Sequence, residues 1–283
     1  MPTHGKLASE LAAAPPQVDY VHLSREAGDF EYCLPDDVQP CRQVSNGGPT
    51  VLLVGDSQAE SFVPVFRQLA TEKHFNLDVN VFPGCSWQEG LSNPKLVGKV
   101  ADTCAQTRAG WYEQALPQLH PDVVVLLSRP RDDPAEWGAT TNLADGTRAP
   151  LRQAVAKETR DTLAKITAVA PAIVIKRLIM PETFSATDCL AAARTVGDCA
   201  VAPPSTPSPT DVDVAAVTKQ DPRVHPLDLN PIFCPTAKEK VCSPVRDGQV
   251  VWRDDHHFTI DYSMSQRARI WGALTGTGLI PGR

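Results

Sequence analysis

The chain has 283 residues, of which 42% are hydrophobic, and a formal net charge of −6 at pH 7. That apolar content supports a packed globule rather than a disordered chain, and the acidic balance argues against nucleic acid, which needs a basic face, and gives no reason to expect binding to anionic lipid. The length suits one domain of ordinary core size with one long insertion, and no apolar run reaches the ~18 residues of a membrane-spanning helix.

In chain order, residues 1–48 read as an irregular lead-in, with Ala12-Ala13-Ala14-Pro15-Pro16 as a linker. Residues 49–283 carry an α/β pattern. Residues 51–54 form a short buried-type strand, and Phe62, Val65, Phe66, Leu69 and Ala70 follow at helical spacing. Residues 77–82 alternate like a strand, a helix is predicted around 108–116, and residues 122–127 give the strongest strand pattern. Leu151, Val155, Leu163 and Ile166 mark a long helix, and residues 172–178 the next strand. This alternation implies right-handed crossovers and a parallel sheet covered on both faces. From 181 to 244 the order weakens into a Pro-rich insertion with prolines at 203, 204, 207 and 209. Residues 250–252 are a last extended piece, and Met264, Ala268, Trp271 and Leu274 share one face of a final helix.

Eight cysteines fall into four sequential pairs without any Cys-x-x-Cys spacing, so zinc-ribbon and thioredoxin readings lack their signature. Locality pairs them as Cys33–Cys41, Cys85–Cys104, Cys189–Cys199 and Cys234–Cys242. Disulfides belong in an oxidising compartment, and each short loop closed in this way stabilises by roughly 2–3 kcal/mol in the loop-entropy account. The opening residues 1–6 nevertheless lack the apolar core of a signal peptide. An exported protein without an export signal reads as a fragment, tethered through a missing N-terminal membrane region.

Two short motifs carry the chemistry. Gly55-Asp56-Ser57 ends the first apolar strand, and Asp254-Asp255-His256-His257 lies near the C-terminus. A serine hydroxyl needs an adjacent base to act as a nucleophile. A position after a parallel strand, at a helix N-terminus, exposes it at the ligand-binding edge of the sheet beside free amides. Taken alone, Asp56-Ser57 is equally a helix cap. With Asp254 and His257 one turn apart, a carboxylate can orient an imidazole whose other nitrogen takes the proton of Ser57. Asp255 and His256 compete for these roles, and the four residues are also readable as a solvated polar turn. No third ligand cluster supports a metal, and no cofactor is implied.

With these motifs and its layout of cysteines, the chain resembles the SGNH (GDSL-like) hydrolases. More narrowly, it resembles the extracytoplasmic SGNH domain fused to membrane acyltransferase-3 proteins, over about residues 33–274. The resemblance implies a three-layer α/β/α sandwich on a flavodoxin-like parallel sheet, with disulfide-stapled loops. It makes Ser57 the nucleophile, His257 the general base and then acid, and Asp254 the orienting carboxylate. The Ser57 and Gly84 amides form the oxyanion hole. The family's asparagine after the third strand is absent from Leu127-Ser128-Arg129-Pro130, which leaves Ser128 or Arg129 as the substitute. Gln58 stands where relatives often have His and is assigned no role. Trp87, next to the oxyanion loop, is the candidate sugar contact. The implied activity is acyl transfer, most often of acetyl, through an acyl-Ser57 ester to a hydroxyl of a cell-envelope glycan. The implied partners are a membrane acyltransferase-3 domain upstream in the same natural chain, an acyl donor and the glycan acceptor. An esterase with the same triad and a degenerate glycan-binding domain are the rival readings, and an α/β-hydrolase elbow is disfavoured because too few strands precede Ser57.

Overall fold

The strongest apolar runs become the centre of one six-stranded sheet. The computed structural model describes residues 4–26, 33–91, 93, 95–96, 98–108, 110–143, 145–234 and 240–280. The strands are β1 (Arg42–Val44), β2 (Thr50–Gly55), β3 (Asn76–Val81), β4 (Val123–Leu127), β5 (Ala172–Ile175) and β6 (Val224–Leu227), in the order β1-β3-β2-β4-β5-β6. β2 to β6 are parallel, and β1 adds an antiparallel edge. The parallel strands alone run second, first, third, fourth, fifth, which is the flavodoxin-like order. The helices are α1 (His4–Ala12), α2 (Ser57–Lys73), α3 (Lys99–Arg108), α4 (Leu151–Thr167), α5 (Ala186–Ala192), α6 (Pro209–Thr218), α7 (Ile260–Ser265) and α8 (Arg267–Thr275), with shorter turns between them.

Every residue of β2 and β4 is buried, because both faces of the sheet are covered. Alternate side chains divide between two cores. Val51, Leu53 and Val125 pack with Phe62 and Phe66 of α2 and Trp271 of α8. Leu52, Val54, Val124 and Leu126 pack with Leu163 and Ile166 of α4 and with Trp111. The result is a three-layer α/β/α sandwich. Four disulfides, Cys33–Cys41, Cys85–Cys104, Cys189–Cys199 and Cys234–Cys242, staple the loops. Among the described residues, no helix is long and apolar enough to cross a membrane.

The structure departs from the sequence expectation in four places, one of them the final helix, which breaks at Gln266 into α7 and α8 and leaves Ala268 exposed. The Pro-rich segment 181–244 holds β6 and α6, although its residues 235–239 lie outside those described. β6 reads Val224-His225-Pro226-Leu227 and carries no apolar alternation. Its proline lacks an N–H, which an edge strand tolerates. The helix expected around 108–116 is interrupted by Gly110, whose φ of +67° is left-handed. α3 ends at Arg108 and a single turn restarts at Trp111. The lead-in is partly regular, since β1 joins the sheet and the Val196 N–H donates to the Ala13 carbonyl just after α1.

Candidate active site

The carboxyl ends of β2, β3 and β4 lie side by side, with Gly55 in register with both Val81 and Leu127. The segments that follow them therefore emerge at one edge. A Cβ on Gly55 would sit 1.7 Å from the Leu127 carbonyl oxygen, so only glycine lets β4 approach the turn before Ser57 this closely. Asp56 then caps α2, its carboxylate accepting from the Gln58 N–H at 2.9 Å and the Arg129 N–H at 3.1 Å. The bland reading of Asp56 as a cap is thus correct for that residue. Ser57 is the first residue of α2, where helix geometry leaves its amide without an intrahelical acceptor. Across the edge, Gly84 takes a left-handed φ of +75°. The buried Arg108 ties β2 to β3 and to the loop after β3: its guanidinium donates to the Gly55 carbonyl and the Ser86 carbonyl, each at 2.9 Å, and to Asn80.

The distal motif forms a tight, braced turn. Asp254 accepts from the backbone N–H groups of His256 at 2.9 Å and His257 at 2.8 Å, and the same carboxylate meets His257 Nδ1 at 2.8 Å. One carboxylate thus folds the turn and orients the imidazole. Arg253 N–H donates to the His257 carbonyl at 3.0 Å. Glu182 N–H donates to the Asp255 carbonyl at 2.8 Å, so the start of the Pro-rich segment supports the turn. Asp255 pairs instead with His256 Nδ1, which separates it from His257.

Two contacts join the two motifs. The Gln58 amide donates to the His256 carbonyl at 3.1 Å, a tether between α2 and the turn that sequence reasoning left without a role. Beneath it, the fully buried Phe258 stacks on Phe233 at 4.2 Å between centroids and meets Phe62 of α2 edge-on at 5.9 Å. This packing seats His257 against the helix that carries Ser57. Phe258→Ala is expected to cost about 3–5 kcal/mol of stability and to lower turnover at temperatures where the variant remains folded. Denaturant unfolding alongside an ester assay checks it, and an unfolding midpoint equal to that of the wild type contradicts the role of the ring.

A cleft of about 580 Å³ lies over this edge, lined by Ser57, Gly84, Arg129, Arg131, Trp137 and His256 among others. His257 is 7% exposed, and its Nε2 is buried with no hydrogen-bond partner among the described residues. Among the described residues, no hydrogen bond joins Ser57 Oγ to this nitrogen. Burial holds the His257 pKa below the ordinary imidazole value despite the opposing pull of Asp254, so the ring is neutral near pH 7 and its Nε2 can accept a proton. Burial pushes Asp254 up, but the hydrogen bond and charge of His257 outweigh it and leave the carboxyl strongly acidic. Burial raises Asp56, opposed by the charge of Arg131.

The two residues expected as third donors each make a contact within the protein. Ser128 Oγ accepts from the Trp87 N–H at 3.2 Å, and the guanidinium of Arg129 pairs with Glu136 at 2.9 Å. Trp87 is 3% exposed and packs in the core under Tyr112, which donates to its carbonyl, so it does not face a sugar. The cleft aromatic is Trp137, and the buried cation beside Gly84 is Arg131. In sequence both sit in a polar stretch that reads as surface, and nothing in composition or spacing singles them out. Asp254, His256 and His257 offer ligand atoms within 4.8 Å of one another. A metal there would compete with the Asp254–His257 bond and with the two backbone N–H groups already held by Asp254.

Comparison with known proteins agrees with this fold. A family model described as SGNH domain (fused to AT3 domains) matches residues 21–270. No curated protein matches. Among solved structures, the chain is similar to the periplasmic domain of a lipopolysaccharide acetyltransferase from Salmonella ser. Paratyphi A, at 14% identity and a TM-score of 0.53, covering 82% of this chain and 85% of that one. It also matches a family two carbohydrate esterase from Clostridium thermocellum, at 12% identity and a TM-score of 0.42, covering 80% and 64%. A carbohydrate esterase family 2 enzyme from Corynascus thermopiles matches at 13% identity and a TM-score of 0.42, covering 83% and 68%.

Proposed function

The chain belongs to the family of SGNH domains fused to AT3 domains, and on that basis we propose that it is an extracytoplasmic O-acyltransferase domain acting on a cell-envelope glycan. Ser57 Oγ attacks the acyl carbonyl while His257 Nε2 takes its proton. The tetrahedral intermediate, held by the Ser57 and Gly84 amides, collapses as His257 returns the proton to the leaving oxygen. The acyl-Ser57 ester remains. A sugar hydroxyl then enters, gives its proton to His257 and takes the acyl group, and Ser57 Oγ recovers the proton. Asp254 fixes the imidazole so that Nδ1 carries its proton toward the carboxylate throughout.

The observation that supports this reading is the buried imidazole with Nδ1 on Asp254 and Nε2 unengaged among the described residues, on a turn that Gln58 ties to the helix starting at Ser57, at the carboxyl edge of a parallel sheet. The four disulfides fit an oxidising compartment. The AT3 fusion typical of the family fits a membrane partner that delivers the acyl group. The periplasmic acetyltransferase domain among the similar structures has the same fold. In the test, the protein is mixed with an activated acetyl ester and a panel of envelope oligosaccharides. Acetylated sugar, detected by mass spectrometry, is the expected product. Free acetate with no acetylated sugar, at any acceptor concentration, would assign the domain to hydrolysis instead.

A further inference from the structure

Arg131 is a buried cation with spare donors. It follows β4 by four residues and is 2% exposed at its side chain. Its Nη2 donates to the Gly84 carbonyl, its guanidinium lies 5.0 Å over the Trp137 ring, and the nearest carboxylate oxygen, on Asp56, is 4.0 Å away. Nε and Nη1 are buried and have no hydrogen-bond partner among the described residues. A guanidinium in a low-dielectric wall with two unmade hydrogen bonds is costly, and an acceptor arriving in the cleft removes that cost. Burial lowers its pKa to about 10, so it remains charged at neutral pH.

We propose that Arg131 is the third oxyanion donor of this site, taking the place of the asparagine absent after β4. The proposal rests on the serine mechanism above. When Ser57 Oγ adds to the acyl carbonyl, the π electron pair moves onto the carbonyl oxygen. Arg131 meets that oxyanion with N–H groups and a full positive charge and gives up no proton. The pair returns to re-form the carbonyl as the leaving oxygen departs. The bond from Nη2 to the Gly84 carbonyl fixes this guanidinium to the loop that carries the other donor. A charged donor acts more strongly than a neutral amide.

The test compares wild type, R131M and R131K for kcat and KM on a small aryl acetate, and for the rate at which a fluorophosphonate labels Ser57, since the phosphonyl oxygen mimics the oxyanion. R131M should lower kcat and the labelling rate about 10²- to 10³-fold while KM changes little. R131K keeps the charge without the planar fork and should fall between the two. R131M with wild-type kcat overturns the proposal, as does a loss confined to KM. Should R131M fail to fold, as judged by thermal melting, R131K decides, and wild-type kcat and labelling there overturn the role. A wild-type protein whose Ser57 is not labelled and which hydrolyses no ester removes the serine mechanism itself. Normal wild-type labelling with an unaffected R131M removes only the part played by Arg131.

Discussion

Ser57→Ala should reduce turnover of a small aryl acetate on the order of 10⁴- to 10⁶-fold, because removing the nucleophile leaves only binding and oxyanion stabilisation. The fold should be unaffected. The hydroxyl is not what ends β2 or starts α2. Asp56 caps the helix, Gly55 makes the close approach to β4, and alanine is a good helix former at the first position. Thermal unfolding of the variant should therefore stay within a degree or two of the wild type, since a half-exposed hydroxyl makes little net contribution to stability. Retained turnover in a well-folded Ser57→Ala protein would take this residue out of the mechanism. Loss of turnover together with a lower melting temperature would instead mean that the hydroxyl has a structural role in the turn.

The parts of this molecule that were legible in the sequence are those where local pattern and tertiary role coincide. β2 and β4 are buried on both faces, so their codes are unbroken apolar runs. α2 and α4 each present one apolar face, so their codes are periodic. Asp254 and His257 were legible as a pair because one short turn holds both, and the carboxylate that orients the ring also closes the turn. β6 was not legible, because an edge strand with a proline needs no apolar alternation. α6 announced itself only through a Ser208 cap and a Pro209 at its first position, within a segment whose prolines suggested loop. The placements of Arg131, Trp137 and Gln58 come from long-range neighbours. Arg131 matters because of Gly84, 47 positions away, and Gln58 because of His256, 198 positions away. No local rule connects such pairs. The surroundings of Ser128 and Trp87 are equally a matter of tertiary neighbours. Their spacing places them near the cleft, but they spend their polar atoms on each other and on Tyr112.

Asp254→Asn should lower kcat by about 10⁴-fold while the turn persists. The asparagine carbonyl oxygen can still accept from the His256 and His257 N–H groups, so the backbone keeps its shape. Its amide, however, presents N–H donors to His257 Nδ1 unless the side chain flips and gives up those bonds. The imidazole is then driven to carry its proton on Nε2, where it cannot accept one from Ser57. The pH dependence separates this tautomer effect from unfolding. In the wild type, burial holds the His257 pKa below the ordinary value of about 6.5, so the acid limb of kcat/KM should have its midpoint below that value. Activity is lost as pH falls through that midpoint, because the protonated ring cannot act as a base. The Asp254 charge raises the His257 pKa, so its removal should move the acid limb of the residual activity to still lower pH. Stability follows the same sign. The unfolded chain binds a proton at His257 before the folded one does, so folding weakens as pH drops from about 6.5 toward the lower native value. A second loss comes at more acid pH, where Asp254 is protonated in the unfolded chain but still ionised in the folded one. A wild-type midpoint at or above 6.5, or an Asp254→Asn protein with normal kcat, would mean that the imidazole at the edge of this sheet is not held in the state the mechanism requires.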